Sequence, residues 1–559
     1  MNFRYQYEYA AGLLKRYGFW GLVLKTLERK NSPMREYASH YRRYLPTEEE
    51  LKEQRNTPLA FAPLVSIVVP LFETPEEYLC ALTDSVLEQT YPNWELCLAD
   101  GSRTERVKKT VERYEKRDSR IRYKRLTENG GISENTNRGL AMANGSYIAF
   151  MDHDDLIAPN ALYEMVRCLN GPCLEGDRKT ALLYSDEDKI DSGGTVHTRP
   201  HFKPDFNLEF LRHNNYICHF LMFSKELLKK AGGLQKEYDG AQDYDFVLRC
   251  VDAGAKVYHV PKILYHWRIH EGSTAGNSGD KSYAFDNGCR AIEAHLKRRG
   301  EQGRAFVTPN LGVYRIRYTL SGPYRITVVS ESGDMMKKIR AYYGETYKRP
   351  GYSLSLRYET GGLSGAGIEN GYPGDYILYI RNGVCVQPEG LLEKLLGICQ
   401  RKDTGLAAAK LLTAGRRVLS CGMAYGNDGG LTALCGGLPA SYKGYFLHAA
   451  VPQNVSAVSF GCVLFKKEAY VKAGGLKSGF TGIYRDADVC FRLLEQGYGI
   501  VVTPEVTAVC KKPESPADGR TRFCRKWKEK LTRPDPCYNC NLSLEEGRTY
   551  AMRDAAQGE

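Results

Sequence analysis

Two copies of one pattern run through this chain, and only the first copy keeps its acidic residues. In the first, the apolar run Gly145-Ser146-Tyr147-Ile148-Ala149-Phe150-Met151 ends in Asp152-His153-Asp154-Asp155. In the second, Gly374-Asp375-Tyr376-Ile377-Leu378-Tyr379-Ile380 ends in Arg381-Asn382-Gly383-Val384. Further landmarks recur in the same order. Ala231-Gly232-Gly233-Leu234 is matched by Ala473-Gly474-Gly475-Leu476, and Asp243, Arg249 and Pro261 are matched by Asp486, Arg492 and Pro504, with spacings of six and twelve residues in both copies. So many shared landmarks indicate an internal duplication. Carboxylates at the end of a buried strand are costly unless something cationic offsets them, so the first copy reads as a metal or substrate site and the second as its relic. Aligned by sequence, the second copy replaces Asp100 by Tyr358, Asp152 by Arg381 and Asp154 by Gly383; Asp486 alone survives, as the match of Asp243.

Length and composition narrow the class. At 559 residues the chain exceeds one core and predicts roughly three to four units. With 42% hydrophobic and 26% charged residues it is an ordinary globular composition. No uncharged apolar run reaches the roughly 18 residues of a membrane span, and Met1-Asn2-Phe3-Arg4-Tyr5 does not begin a secretory signal, so the expected location is the cytoplasm. Of 17 cysteines, Cys80, Cys97, Cys250, Cys462 and Cys490 sit in apolar stretches, as buried thiols in a reducing compartment do. Cys537 and Cys540, with Cys524, have metal-like spacing but no fourth ligand nearby in sequence. The net charge of +12 is not gathered into a nucleic-acid stripe, so no nucleic-acid partner is expected. It concentrates in two places. Between Arg520 and Arg533 stand seven Lys or Arg against Glu529, and Leu13, Tyr17, Trp20, Leu24 and Leu27 recur at helical spacing among Lys15, Arg16, Lys25, Arg29 and Lys30. Each fits either a helix docked by its apolar face or a peripheral contact with an anionic membrane surface.

The periodicities predict an open α/β sheet. Leu64–Leu71 reads as a buried parallel strand, Thr74-Pro75-Glu76-Glu77 as a capping box opening a helix with Leu79, Leu82 and Val86 on one face, and Trp94–Asp100 as a second buried strand. A helix near 105–116, a strand at 121–125, the Gly-rich segment Asn129–Ser133 and the strand Tyr147–Met151 follow. In such sheets ligands bind beyond the carboxyl ends of the strands, where Asp100 and Asp152 to Asp155 fall. The expected organisation is an N-terminal helical extension (1–60), a catalytic domain (61–320), a degenerate second domain (321–515) and a basic tail (516–559).

Ser66-Ile67-Val68-Val69-Pro70, Ala99-Asp100-Gly101-Ser102, Asp152-His153-Asp154-Asp155, Gln242-Asp243-Tyr244-Asp245, His266-Trp267-Arg268-Ile269-His270, Gln453-Asn454-Val455 and Asp535-Pro536-Cys537 appear in that order. Together they resemble the family 2 glycosyltransferases of the GT-A fold, in particular two-domain bacterial rhamnosyltransferases and O-antigen or surface-polysaccharide glycosyltransferases, over residues 60 to 545. The resemblance implies an α/β chain of tandem GT-A domains with an N-terminal helical extension. It also implies an inverting, metal-dependent transfer from a UDP- or dTDP-sugar to a hydroxyl of a growing cell-surface glycan or lipid-linked glycan. By the family pattern Asp154 and His270 are the ligands of Mn²⁺ or Mg²⁺, whose charge supports departure of the diphosphate. Asp100 meets the nucleobase, Asp152 the ribose or metal-bound water, and Pro70 and Glu73 complete the nucleotide site. Asp243 is the base that takes the acceptor's proton. Asp245 reads as structural or as a cap, His266 as packing or as a support for a neighbouring ligand, ahead of a ligand itself, and His153 as pointing away. The family's usual cation beside the Asn of the Gly-Ile-Ser segment is displaced or missing in Thr136-Asn137-Arg138. The competing expectation is a non-catalytic carbohydrate-binding or scaffold protein, which the degraded second copy suggests and the intact acidic set of the first opposes.

Overall fold

The computed structural model describes residues 34–171, 176–270, 282–363, 372–426, 429–476, 479–511 and 519–553. The helix expected over Leu13 to Leu27 lies outside them. The chain divides into two compact units. An N-proximal unit comprises Glu36–Phe206 and Leu211–Ile316, and a C-proximal unit includes Asn207–Phe210 and the chain from Arg317 onward.

The N-proximal sheet contains β1 (Val65–Leu71), β2 (Trp94–Asp100), β3 (Ile121–Arg125), β4 (Tyr147–Phe150), β5 (Leu156–Ile157), β6 (Ala181–Ile190), β7 (His197–His201), β8 (Leu221–Ser224) and β9 (Lys256–Arg268). Their order is β3-β2-β1-β4-β8-β6-β9-β5, with β7 paired to β6. β1 runs parallel to both β2 and β4, as the α/β reading requires. β2 is buried at every position and β1 at every position but Pro70, because helices cover both faces and alternation has no exposed side to mark. Helices Glu76–Leu87, Arg106–Glu115 and Ala161–Leu169 turn Leu79, Leu82, Val86, Val107, Val111, Leu162 and Val166 into one core with the strands.

The capping box expected at Thr74 does not form. The helix begins at Glu76 with Pro75 at its cap, and the Thr74 hydroxyl instead lies 2.9 Å from His153 Nδ1. Thr74 therefore serves the acidic turn, and His153 reaches back to the first helix instead of pointing away. A genuine capping box closes the helix Glu48–Asn56, between Thr47 and Glu50.

After the ribbon β10 (Gly303–Val307) and β11 (Tyr314–Tyr318), the C-proximal unit repeats the design with β12 (Gly322–Ser330), β13 (Thr346–Arg349), β14 (Tyr352–Thr360), β15 (Tyr376–Ile380), β16 (Val384–Val386), β17 (Thr404–Thr413), β18 (Cys462–Lys466) and β19 (Gly499–Cys510). In the order β13-β14-β12-β15-β18-β17-β19-β16 the strands from β14 to β16 repeat those from β2 to β5, while the edge strand β13 precedes β14 in the chain and β3 follows β2. One edge differs: β13 is antiparallel to β14, whereas β3 is parallel to β2.

Register makes the duplication exact enough to compare side chains. Val65 lies opposite Tyr147 and Trp94 in the first sheet, and Ile326 lies opposite Tyr376 and Leu356 in the second. Counting from these pairs, Asp152 corresponds to Arg381 as expected, but Asp100 corresponds to Gly362 and not to Tyr358. The sequence alignment was four residues out because β14 begins early against an antiparallel edge. The shared glycine before β4 and β15 also gains a reason. A Cβ at Gly145 would stand 2.5 Å from Leu64 O, and one at Gly374 2.7 Å from Arg325 O, so both strands are admitted only without a side chain.

The expected basic tail packs within the C-proximal unit. Helix Arg520–Lys526 and the turn after it bury Phe523, Trp527 and Leu531, with Trp527 Nε1 donating to Asp488 at 3.1 Å. Its apolar face is therefore spent on the protein, and Arg520, Arg522, Arg525 and Lys528 stay outside.

β6 and β9 are joined by His259, whose ring stacks on Tyr184 and faces Asp186 at 2.9 Å and Asp205 at 3.1 Å. Burial alone would lower its pKa, but the two carboxylates outweigh burial and bring it up to about 9. A histidine held above its unfolded value of about 6.5 stabilises the fold most below that pH and loses the contribution as pH rises through about 9. Urea denaturation should accordingly show about 3 kcal/mol lost between pH 6.5 and 9.5, a dependence that Asp186→Asn largely removes; an unchanged slope in that variant contradicts the assignment.

Candidate active site

The acidic turn that follows β4 is held by the end of β9. Tyr265 Oη donates to Asp155 Oδ2 at 2.5 Å, and the Arg268 backbone N–H donates to Asp155 Oδ1 at 2.7 Å. Arg268 Nε reaches the Asp154 carbonyl at 2.6 Å. Two residues further on, His270 Nε2 comes within 2.7 Å of Asp154 Oδ2. Asp155 is fully buried, and burial together with the charges of Asp154 and Asp152 pushes its carboxyl well above the usual range. It is the anchor of the turn, while Asp152, with nearly half its side chain exposed, and Asp154 line the crevice.

Asp243 opens the helix Gln242–Asp252. Its Oδ2 accepts from Asn215 Nδ2 at 2.9 Å and from the Cys218 thiol at 3.5 Å. Burial raises the Cys218 pKa to about 11, so this sulfur remains a donor. Next to it, His219 Nε2 stands 3.5 Å from Asp152 Oδ2 and the ring stacks on Tyr265 at 4.6 Å. The loop from Asn215 to His219 thus links the base candidate to the acidic turn. Its shape is maintained at a cost, since Cys218 is a non-glycine residue at φ 31°. Lys203, wholly buried, donates to the carbonyls of Ile217 and His219 and pairs with Glu187 at 3.0 Å. Burial raises the Glu187 carboxyl, but Lys203 and the two neighbouring histidines outweigh it and hold the group well below the usual range.

Other expected residues are more committed. Asp100 has no exposure; its oxygens accept from Ser102 N at 2.8 Å, Tyr123 Oη at 2.6 Å and Arg125 at 3.3 Å. Glu73 accepts from Arg103 N, Thr104 N and the Thr104 hydroxyl, which fastens the turn after β2 to the end of β1. Pro70 lies in β1 opposite Ala99. Asp245 bonds Arg249 at 2.7 Å, and Arg249 gathers the carbonyls of Ala231 to Gly233; Asp488 and Arg492 repeat this clamp on Ala473 and Gly475. His266 turns to Asp188.

Sequence reasoning missed Glu187, Lys203, Asn215, Cys218 and His219. One signal was available. Asp186-Glu187-Asp188 follows the apolar start Ala181-Leu182-Leu183 of a largely buried strand, and such carboxylates need partners.

A divalent cation suits this donor set. Besides Asp154 and His270, ligand atoms of Asp152, Asp155 and His219 lie within 4.8 Å of one another, which sets carboxylate oxygens and imidazole nitrogens together. Of Asp100, Asp152, Asp154 and Asp243, the C-proximal unit keeps only the last, as Asp486. Glu331 takes the place of Pro70 by register and accepts from Tyr379 Oη at 2.5 Å and Asn382 N at 3.1 Å. Asp486, the survivor, is bound by Arg485 at 2.9 Å and by Phe460 N at 2.8 Å.

A doubly wound sheet with an acidic turn at the switch between β1 and β4, and a carboxylate across the crevice, defines a nucleotide-sugar-transferase class of fold. The glycosyl transferase family 2 profile matches residues 66–232. A putative teichuronic acid biosynthesis glycosyltransferase of Bacillus subtilis, TuaG, is 38% identical over 217 residues, 38% of this chain and 82% of that protein. The O-antigen biosynthesis protein RfbC of Myxococcus xanthus is 27% identical over 541 residues, 90% of this chain and 42% of its own. A protein of Sinorhizobium fredii, y4gI, is 31% identical over 535 residues, 86% of this chain and 58% of its own. The chain belongs to glycosyl transferase family 2. It spans about half the length of the latter two relatives.

Lys203→Met leaves the buried Glu187 with only His201 and His219 as partners, which should cost about 3–5 kcal/mol. Adding Glu187→Gln should recover part of that loss; urea denaturation of the single and double variants measures it, and a near-neutral single variant contradicts the pairing.

Proposed function

We propose that the N-proximal unit moves a sugar, with inversion, from a UDP- or dTDP-linked donor to a hydroxyl of a growing bacterial cell-surface glycan. Family membership supports sugar transfer. The observation that carries the finer reading is that Asp243, held by Asn215 and Cys218, is tied through His219 to Asp152, on the same turn as the Asp154–His270 pair. Asp154 and His270 would hold Mn²⁺ or Mg²⁺, with Asp152 beside them, and the cation supplies positive charge where the diphosphate gains negative charge.

The chain's own residues account for the remaining steps. Both donors to Asp243 meet Oδ2, which leaves Oδ1 to take the proton of the acceptor hydroxyl as that oxygen attacks the anomeric carbon. Asn215 fixes the carboxylate plane, so the base needs no reorganisation at the moment of transfer. Pro70 and the Glu73 turn border the nucleotide, and Asp100 acts on the base by shaping the crevice floor through Ser102 and Tyr123. The 61–320 segment is assigned catalysis and 321–515 a non-transferring role, as a buttress or glycan holder, because Glu331 and the Arg485–Asp486 pair occupy its equivalent crevice.

No helix among the described residues is long and apolar enough to cross a membrane. We assign the chain to the cytoplasm, with any contact at the inner membrane face made by the outward basic side of helix Arg520–Lys526. Such contact is electrostatic and salt-sensitive, since the apolar side is buried.

Asp243→Asn should lower transfer by 10²-fold or more while donor-nucleotide affinity stays within a few-fold. Turnover assays with calorimetry of the same protein check it; unchanged turnover removes Asp243 as the base.

A further inference from the structure

A second cluster of ligating side chains lies on β6, β7 and β9 and shares no residue with the crevice. Asp188 on β6 faces His266 on β9 in the parallel register, and His197 on β7 is paired with Ile190, two residues along β6. Asp188 Oδ1 is 2.6 Å from His266 Nδ1, and Oδ2 is 2.7 Å from His197 Nδ1. All three ligand atoms lie within 4.8 Å of one another. The carboxylate has no exposure, and the imidazoles are 7% and 13% exposed, so the charge is out of reach of bulk water.

The positions are fixed from outside as well. Tyr37 Oη donates to Asp188 Oδ2 at 2.7 Å, Tyr41 stacks on His197 at 4.4 Å, and the two imidazoles meet edge to face at 4.8 Å. Backbone ladders on neighbouring strands set the spacing of the three ligands, which makes the cluster pre-organised in a way that surface carboxylates are not.

We propose that Asp188, His197 and His266 form a binding site for one zinc-class transition-metal ion, with Tyr37 as the hydrogen-bond donor that orients the carboxylate. Two imidazoles and one carboxylate are the donor types such ions select, and the set lacks the oxygen-rich coordination of Mg²⁺ or Ca²⁺. The buried carboxylate between the two imidazoles supplies the negative charge that a divalent cation seated there would meet. Ligand atoms about 2.1 Å from a tetrahedral ion are about 3.4 Å apart, so replacing the two shared Nδ1 protons by an ion needs shifts below about 1 Å. The phenol on the carboxylate supplies the outer hydrogen bond that ligating groups commonly carry. The ion would fasten Tyr37, Tyr41 and the β6–β7 hairpin to β9, the strand that leads to His270. It is a structural site, separate from the proposed sugar transfer.

The test uses the full chain purified without a histidine tag, incubated with Zn²⁺, desalted and analysed for metal content. The expected result is one zinc per chain, retained in an Asp154→Ala/His270→Ala variant and lost in His197→Gln/His266→Gln. Zn²⁺ should raise the melting midpoint of the wild type by several degrees, reversibly with chelator, and Co²⁺ should give the visible absorption of a four-coordinate nitrogen–oxygen site. The zinc content and Co²⁺ spectrum of Asp154→Ala/His270→Ala, in which the crevice pair is gone, decide the matter even where the double histidine variant fails to fold. No retained zinc with no midpoint shift and no Co²⁺ band overturns the proposal. Zinc that is lost in Asp154→Ala/His270→Ala but kept in His197→Gln/His266→Gln overturns it too, by assigning the ion to the crevice.

Discussion

Three carboxylates on the single turn Asp152 to Asp155 repel one another, and the N-proximal unit is organised around holding them together. The end of β9 does most of this. Tyr265 and the Arg268 backbone bind the buried Asp155, the Arg268 side chain binds the Asp154 carbonyl, and His270 meets the Asp154 carboxylate. One strand end therefore fixes the turn and contributes to the site it forms. The remaining repulsion between Asp152 and Asp154 is of the kind that a cation relieves. From the same turn, His219 carries the connection through Cys218 to Asp243, so the acidic turn and Asp243 are parts of one network of contacts.

The duplicated sheet separates what the fold needs from what the chemistry needs. The glycines before β4 and β15 persist because any side chain would strike the first strand, and the Asp245–Arg249 and Asp488–Arg492 clamps persist because each ties three or two loop carbonyls to a helix. The acidic turn does not persist. In its place Arg381 and Glu331 stand at the register positions of Asp152 and Pro70, and Asp486 is neutralised by Arg485. A carboxylate with its charge already matched is a weak base for an incoming hydroxyl. The two copies thus share packing while differing in electrostatics.

Much of this was legible from residues alone, for identifiable reasons. Buried parallel strands such as Val65–Leu71 announce themselves as β-branched runs, and the Asp152 to Asp155 cluster is conspicuous because charge rarely follows an apolar strand. His270 and Asp154, 116 residues apart, meet as the family pattern implied. Three things were not legible. The Thr74 box failed because a hydroxyl had a nearer partner, His153, across the fold. The match of Asp100 slipped by four residues because strand starts carry no sequence mark where an antiparallel edge extends them. Lys203, Asn215, Cys218 and His219 were missed because their meaning depends on a long-range pairing with Glu187, Asp152 and Asp243 that no local spacing encodes.

The central claim, one metal-dependent nucleotide site per chain, is tested most directly by calorimetric titration of UDP and of dTDP into the purified protein with Mn²⁺ and again with chelator. The account predicts binding of one of these nucleotides at a stoichiometry of one, lost on chelation. Two sites per chain would contradict the reading of the C-proximal unit as non-transferring. Absence of binding under every condition would contradict the nucleotide-sugar reading itself and favour a glycan-binding scaffold.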